Sequence, residues 1–229
     1  MSVVLTAILF DLDDTLVDQE SAARSAVVAW VRQRGLGADD HDLVERWSTV
    51  SDLYYQRYQA RELTFAEQRR ARVRDFLTDH DLGTDAAADA AFAAYLELYE
   101  AAWTVFPDAL PALRRAAGAG LRVGVLTNGD HDHQAFKLET LGLADDVDVL
   151  VSSSTLSAGK PDPRAFLEAC ARLGTAPAAT LMVGNSLITD VRGAESAGLP
   201  AVLLDRTGEL GGESVRRVST LDELAFVPH

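Results

Sequence analysis

Four aspartates follow an apolar stretch in residues 8–20, ILFDLDDTLVDQE. Asp11 and Asp13 are two residues apart at the end of a predicted strand, so both side chains can face one crevice. Two carboxylates at this spacing repel each other, and the pair is tolerated if a hard cation such as Mg²⁺ bridges them or if one carboxyl is protonated and serves as a general acid. Asp14 and Asp18 are expected to form turns or helix caps.

Other polar residues also follow predicted strands. Thr127 and Asn128 stand between a strand and a helix, where a hydroxyl and successive backbone N–H groups can bind a phosphate, although Asn-Gly is also a common turn. Lys160 lies in the loop SAGKPDP, and an ammonium group held above the carboxylates would offset their repulsion and bind an anionic substrate. Asn185 follows the fourth predicted strand.

Alternating apolar runs and helical patterns predict the elements that carry these residues. Buried strands are predicted at residues 5–10, 121–126, 147–151, 180–183 and 200–204. Helices are predicted at residues 130–141, 163–173 and 190–197, and each is followed by a glycine that suits a helix C-terminus. This order predicts an α/β fold, a Rossmann-like doubly wound parallel sheet with helices on both faces. Ligands of such sheets bind beyond the carboxyl ends of the strands, where the polar residues stand.

A long helical interval separates the first two predicted strands. Thr64 and Glu67 form a possible capping box within it, and apolar residues recur there at helical spacing. We therefore expect residues 1–18 and 105–229 to form the α/β core and residues 19–104 to form a helical insertion.

Composition narrows the function classes. The formal net charge of −14 disfavours nucleic acid and anionic membrane surfaces as partners. The single cysteine, Cys170, lies in a helical pattern and is expected to be buried and structural. No signal peptide and no apolar run of about 18 residues is found, so a cytoplasmic location is expected. A monomer or a homodimer is also expected.

The motifs DLDDT, LTN, GKPDP and VGNSLITD, in this order, resemble the haloacid dehalogenase-like (HAD) hydrolase superfamily, of the phosphatase type. The resemblance covers the whole chain. The helical interval after the first motif is similar to the helical C1 cap domain of the superfamily's subfamily I. The run LTNGDHDH resembles members that act on sugar acid phosphates or nucleoside monophosphates.

The resemblance implies a Mg²⁺-dependent phosphate monoester hydrolase acting on a small phosphorylated metabolite. Asp11 would attack phosphorus and form an aspartyl-phosphate, while Asp13 would protonate the leaving oxygen and then activate water. Mg²⁺ would be bound by the Asp11 carboxylate, the Asp13 backbone carbonyl and the Asn185 side chain. The phosphoryl oxygens would be bound by Thr127, Asn128 and Lys160.

The fourth motif departs from the phosphatase pattern, because Asn185 stands where an aspartate is usual. An asparagine carbonyl can still bind Mg²⁺ but removes one negative charge, so weaker metal affinity and an unchanged mechanism are expected. Asp190 is expected to orient Lys160 or a metal-bound water, and the alternative is that it replaces Asn185 as the ligand.

Three other functions use the same fold. A 2-haloacid dehalogenase would use Asp11 on carbon, but it needs no proton donor, so Asp13 favours a phosphatase. A phosphoglucomutase-type isomerase shares all these residues. The third alternative is a non-catalytic phosphate-binding relative with a metal site weakened at Asn185.

Substrate specificity is expected to depend on the helical insertion. The candidate side chains there are Arg24, Tyr54, Tyr58 and Arg61. His131 and His133 lie close to the second motif and are expected to be exposed or to touch substrate rather than to bind a metal, because Mg²⁺ prefers oxygen.

Overall fold

The computed structural model describes residues 4–35, 39–78, 80–208 and 214–226. The chain divides into two compact units. One contains the described residues up to Asp18 and from Thr104 onward, and we call it the α/β unit. The other is Gln19–Trp103, the helical unit. No helix in the described ranges is long and apolar enough to cross a membrane.

The helical unit is built from long helices, three of which have a side-chain cap at their start. Their bounds are α1 Gln19–Gln33, α2 Asp40–Gln59, α3 Phe65–Phe76 and α4 Asp85–Ala101. The predicted capping box is confirmed: the Thr64 hydroxyl accepts from the Glu67 N–H, and the Glu67 carboxylate accepts from the Thr64 N–H. The Asp39 and Thr84 side chains cap α2 and α4 by accepting hydrogen bonds from N–H groups of the first helical turn.

Aromatic side chains fill the core of the helical unit. The Trp30 ring packs against Trp47, Phe76 and Tyr95 at centroid distances of 5.5, 5.8 and 5.6 Å. Trp103 is also buried. The tryptophans therefore serve packing, which is worth about 0.5–1.5 kcal/mol per aromatic pair beyond burial.

The α/β unit contains a six-stranded parallel sheet, which confirms the predicted fold class. Its strands are β1 Ala7–Phe10, β2 Arg122–Thr127, β3 Val149–Ser152, β4 Thr180–Gly184, β5 Ala201–Leu204 and β6 Arg217–Val218. They lie in the order β3-β2-β1-β4-β5-β6. The two-residue strand β6 was not predicted.

Helices cover both faces of this sheet. Their bounds are α5 Ala109–Gly118, α6 His131–Thr140, α7 Pro163–Leu173 and α8 Gly193–Ser196. Because side chains alternate along a strand, Ile8 and Phe10 pack in the core on the α5 side, whereas Ala7 and Leu9 pack with α7. Cys170 is buried on the α7 side, as expected.

The predicted helix over residues 190–197 was wrong at its start. A π-helical segment, Leu187–Arg192, precedes α8. The Ser186 carbonyl accepts from both the Asp190 and the Val191 N–H, at 3.1 and 3.2 Å, which widens this turn. The segment also contains Asp190, and such π-turns are frequent at functional sites.

Candidate active site

Three neighbouring strands bring the candidate residues to one edge of the sheet. Asp11 follows β1, Thr127 ends β2 and Asn185 follows β4, and β1 lies between the other two strands. The chain winds to opposite sides of β1 from this point, so the edge is the topological switch point of the sheet. The location predicted from the strand ends is therefore the one where ligands of such sheets bind.

Lys160 joins two of the predicted carboxylates in a buried triad. Its Nζ lies 2.6 Å from Asp11 Oδ1 and 2.6 Å from Asp190 Oδ1. The three residues are 5%, 7% and 1% exposed, so water screens these charges little. Asn128 braces the Lys160 backbone, because its amide donates to the Lys160 carbonyl and accepts from the Lys160 N–H, both at 2.8 Å.

The triad shifts the pKa of both Asp11 and Lys160. Burial raises the pKa of Asp11 to about 7, since the Lys160 charge only partly offsets burial and Asp190 adds repulsion. Burial alone would lower the pKa of Lys160, but the two carboxylates outweigh it and raise that pKa. When both carboxylates are ionised, the triad keeps a net negative charge, which favours the binding of a further cation.

Both carboxylate oxygens of Asp190 are bound within the protein. Besides Lys160 at Oδ1, the Ser186 N–H donates to Oδ2 at 2.9 Å. Gly184 permits this approach, because a Cβ there would lie 2.3 Å from Asp190 Oδ2. This arrangement supports the expectation that Asp190 orients Lys160, rather than the alternative that it replaces Asn185 as a metal ligand.

Thr15 links Asp11 to Asn185 and was not singled out from the sequence. Its fully buried hydroxyl lies 3.1 Å from Asp11 Oδ2 and 3.5 Å from Asn185 Oδ1, and it accepts from the Asn185 N–H at 3.2 Å. The carboxylate oxygen of Asp11 that Lys160 does not contact therefore lies on the side of Asn185. The sequence signal for Thr15 was its position four residues after Asp11, within the motif DLDDT.

Mg²⁺ prefers oxygen ligands of the kind that Asp11 and Asn185 present here. Among the described residues, no group of three or more His, Cys, Asp or Glu side chains is arranged to bind a metal. The oxygens that would hold the ion are one carboxylate oxygen of Asp11, the Asn185 side-chain carbonyl and the Asp13 backbone carbonyl. Mg²⁺ keeps several waters and is commonly held by one or two carboxylates, so this donor set suits it.

Two residues of α6 hold Asp13 and were also missed. Lys137 Nζ donates to Asp13 Oδ1. Gln134 Nε2 donates to Asp13 Oδ2 at 2.9 Å and to Thr127 Oγ1 at 2.8 Å. Burial would raise the pKa of Asp13, but the Lys137 charge and the hydrogen bonds outweigh it and lower that pKa.

The two histidines lie at the start of α6. His131 N–H donates to the Ser154 hydroxyl at 2.8 Å, and His133 N–H donates to Asp130. Both are half-buried rather than exposed, because α6 packs over the sheet edge. They belong to no metal-binding group among the described residues.

The specificity candidates all lie in the helical unit. Arg24 forms an exposed ion pair with Glu20, and Arg61 is exposed with a positive φ of 62°. Tyr54 and Tyr58 are half-buried. Their roles in substrate choice stay predictions.

The sequence of the chain matches a family model that agrees with this site. Residues 5–198 match the model of the haloacid dehalogenase-like hydrolases. The chain belongs to this HAD-like hydrolase family. A phosphoglycolate phosphatase of Rhodospirillum rubrum is 33% identical to this HAD protein. The match covers 96% of this chain and 85% of the relative. A phosphatase of Mycobacterium tuberculosis is 42% identical, but that match spans only 51% of this chain and 54% of the relative.

Solved HAD structures share the fold over nearly the whole chain. A HAD phosphatase of Thermococcus onnurineus has a TM-score of 0.68 and 29% identity, and covers 96% of this chain and 95% of its own. A 2-haloacid dehalogenase of Pseudomonas syringae has a TM-score of 0.71 and 26% identity, and covers 96% of each chain. Fold likeness alone therefore does not separate a phosphatase from a dehalogenase.

Proposed function

We propose that this HAD-family protein is a Mg²⁺-dependent phosphate monoester hydrolase that acts on a small phosphorylated metabolite through an aspartyl-phosphate on Asp11. The observation that carries the proposal is the buried contact of 2.6 Å between Lys160 Nζ and Asp11 Oδ1 beside Asp190. The phosphatase names of the relatives support it.

In the first step an Asp11 carboxylate oxygen forms a bond to phosphorus while the bond to the leaving oxygen breaks. Asp13 gives its proton to that oxygen, so the alcohol leaves neutral. Lys160 and the Thr127 hydroxyl bind the equatorial oxygens on which charge develops, and a buried ammonium stabilises that charge strongly. Mg²⁺, when bound by Asp11, Asn185 and the Asp13 carbonyl, would supply further positive charge for the same oxygens.

In the second step water attacks the phosphorus of the aspartyl-phosphate. The Asp13 carboxylate takes a proton from that water, the bond between Asp11 and phosphorus breaks, and phosphate leaves. The lowered pKa of Asp13 suits this role as a base, because the carboxylate is then available at neutral pH. The first step needs the protonated carboxyl, and the negative charge of a bound phosphate ester favours that form by raising the pKa of a neighbouring carboxyl. Asn128 contributes by holding Lys160 and through its backbone N–H.

The geometry around Asp13 favours phosphate esters over haloacids. A halide leaves without a proton, so a dehalogenase gains nothing from an ordered carboxyl at this position. Here Asp13 is fixed by Lys137 and by Gln134, which also contacts Thr127. The isomerase and the non-catalytic alternatives use or retain the same contacts and are separated by assay. The cytoplasmic location and the monomeric or homodimeric state stay predictions.

A screen of phosphate esters tests the proposal. Sugar phosphates, nucleoside monophosphates and small organic acid phosphates would be assayed with Mg²⁺ and with chelator, next to Asp11→Asn. We expect phosphate release that requires the metal and Asp11. Release of chloride from a 2-chloroacid in place of phosphate, conversion of a sugar phosphate to its isomer, or hydrolysis unaffected by Asp11→Asn would each contradict it.

A further inference from the structure

The only two lysines of the chain both lie at the candidate active site. The other basic residues are arginines, and Lys+Arg total 21. Lys160 contacts Asp11, and Lys137 contacts Asp13, so each ammonium group faces a different aspartate of the first motif. An ammonium is a compact point charge, whereas a guanidinium is a wide planar fork, so the two groups contact a carboxylate with different geometry.

Lys137 is buried at a position where a lysine usually reaches water. It lies in the last turn of α6 and is only 1% exposed. A long cationic side chain on a helix normally extends its charged end to solvent, and burying an ammonium is costly unless it is paired. Its contact with Asp13 compensates that cost, and the Lys137 side chain is therefore directed inward.

Gln134 connects Asp13 to a phosphate-binding candidate. It is 3% exposed and lies one helical turn before Lys137, on the same face of α6. Its Nε2 donates one hydrogen to Asp13 Oδ2 and the other to Thr127 Oγ1. Gly129 leaves room for this side chain, because a Cβ there would lie 3.0 Å from Nε2. One amide group thus links a carboxylate in the loop after β1 to a hydroxyl at the end of the neighbouring strand β2.

We propose that Gln134 and Lys137 are positioning residues that hold the Asp13 carboxyl in the orientation needed to protonate the leaving oxygen. The inference rests on the proposed function, because it takes Asp13 as the proton donor. Contacts to both oxygens restrict rotation of the Asp13 side chain, and proton transfer requires the donor within hydrogen-bond reach of the accepting atom.

This role predicts a loss of activity that depends on the leaving group. A dinitrophenolate leaves without a proton, whereas phenolate and alkoxide leave slowly unless their oxygen is protonated as the P–O bond breaks. Loss of an ordered Asp13 therefore slows phenyl and alkyl phosphates much more than dinitrophenyl phosphate. Damage to the fold in general slows all substrates alike.

The experiment measures kcat/KM for dinitrophenyl, nitrophenyl, phenyl and glycerol phosphates at saturating Mg²⁺. The variants are Gln134→Met and Lys137→Met, which keep side-chain length without the hydrogen bonds, and Asp13→Asn. Leu138→Ala is the matched control, since Leu138 is buried in the same helix and packs in the hydrophobic core. Because kcat/KM reports the steps through formation of the aspartyl-phosphate, it isolates the step that needs the proton.

We expect the ratio of dinitrophenyl to phenyl phosphate activity to rise about tenfold or more in Gln134→Met, and about a hundredfold in Asp13→Asn. A smaller rise is expected in Lys137→Met, because this change also removes the charge that favours the ionised form of Asp13. In Leu138→Ala the ratio stays that of the parent. Lys137→Arg is expected to return this ratio only slightly toward the parent value. The guanidinium restores the positive charge, but its planar shape does not reproduce the contact of the ammonium with Asp13.

Equal losses on all substrates in both methionine variants, with a selective loss in Asp13→Asn, would overturn the positioning role and leave the proposed function intact. No selective loss in Asp13→Asn would instead overturn Asp13 as the proton donor. If Lys137→Met does not fold, as judged by circular dichroism, Gln134→Met decides, since it removes no charge.

Discussion

Replacing Lys160 by methionine tests the buried triad by removing its only cation. The two carboxylate oxygens that Lys160 contacts lie within about 5 Å of each other, because each is 2.6 Å from Nζ. At an effective dielectric constant of about 20, two unit charges at this distance repel by about 3 kcal/mol. Breaking a buried ion pair on one side costs about 3–5 kcal/mol in general. We expect Lys160→Met to lower the free energy of unfolding by about 3 kcal/mol at pH 8 without metal.

The stability deficit of Lys160→Met, which is its loss of unfolding free energy relative to the parent, should grow as the pH rises. Lys160 lowers the pKa of Asp11, so its removal raises that pKa further above the unfolded value of about 4. Below about pH 7 Asp11 is protonated in both folded proteins, so the deficit of the variant is constant there. Between the Asp11 pKa of about 7 in the folded parent and the higher pKa in the folded variant, only the variant keeps this proton, so the deficit grows as the pH rises. We expect the deficit to be at least about 1 kcal/mol smaller at pH 5 than at pH 8.

Urea unfolding at both pH values, with chelator present, measures this effect. Adding Asp190→Asn to Lys160→Met removes one of the two carboxylates that repel each other. The double variant should regain about 2 kcal/mol of the lost unfolding free energy, as measured by a double-mutant cycle. Arg114→Met is the control, because Arg114 forms an exposed ion pair with Asp146 whose removal should cost less than about 1 kcal/mol. A loss from Lys160→Met no larger than this control, or one independent of pH and of Asp190, would refute the reasoning.

Three further changes test other parts of the account. Asn185→Asp should lower the Mg²⁺ concentration for half-maximal hydrolysis roughly tenfold, and an unchanged midpoint would show that Asn185 is not a ligand. Gly184→Ala should reduce kcat at least about tenfold by displacing Asp190, and parent-like kcat would contradict that contact. Burial raises the pKa of Asp108, but Arg206 and other donors outweigh it and lower that pKa to about 2. Its contribution of about 1–2 kcal/mol is therefore present above pH 4 and lost as the pH falls toward 2, so the deficit of Asp108→Asn in urea unfolding should shrink over that range.

Residues that directly follow buried strands could be predicted from the sequence. Asp11, Thr127 and Asn185 each stand within a residue of a strand end, and parallel strands end at the same edge, so their proximity follows from the strand pattern alone. Lys160 lies in a loop, and its place beside Asp11 was expected from the need to offset charge. That expectation agrees with the contact of 2.6 Å.

Residues that reach the site from within a helix could not be placed in this way. Gln134 and Lys137 are polar members of a helical pattern, and such side chains are mostly solvated. Together with Leu138 and Leu141 they have the spacing of a buried stripe, which was the signal available. The rotation of α6 about its axis decides which residues of that stripe face Asp13, and this rotation depends on packing against the sheet rather than on local sequence.

The π-helical turn and β6 escaped prediction for different reasons. The turn arises because one carbonyl, that of Ser186, accepts two N–H groups, and periodicity does not encode this choice. Strand β6, Arg217–Val218, is too short to show alternation, and its pairing with β5 gives it its structure.

The central claim is that Asp11 becomes phosphorylated. Acid quench of the enzyme a few milliseconds after mixing with an aryl phosphate and Mg²⁺, followed by proteolysis and mass spectrometry, tests it most directly. We expect the peptide that contains Asp11 to gain the mass of one phosphoryl group, the modification to map to Asp11, and the Asp11→Asn variant to lack it. Steady hydrolysis with no modified peptide at any quench time, or with the phosphoryl group on another residue, would contradict it.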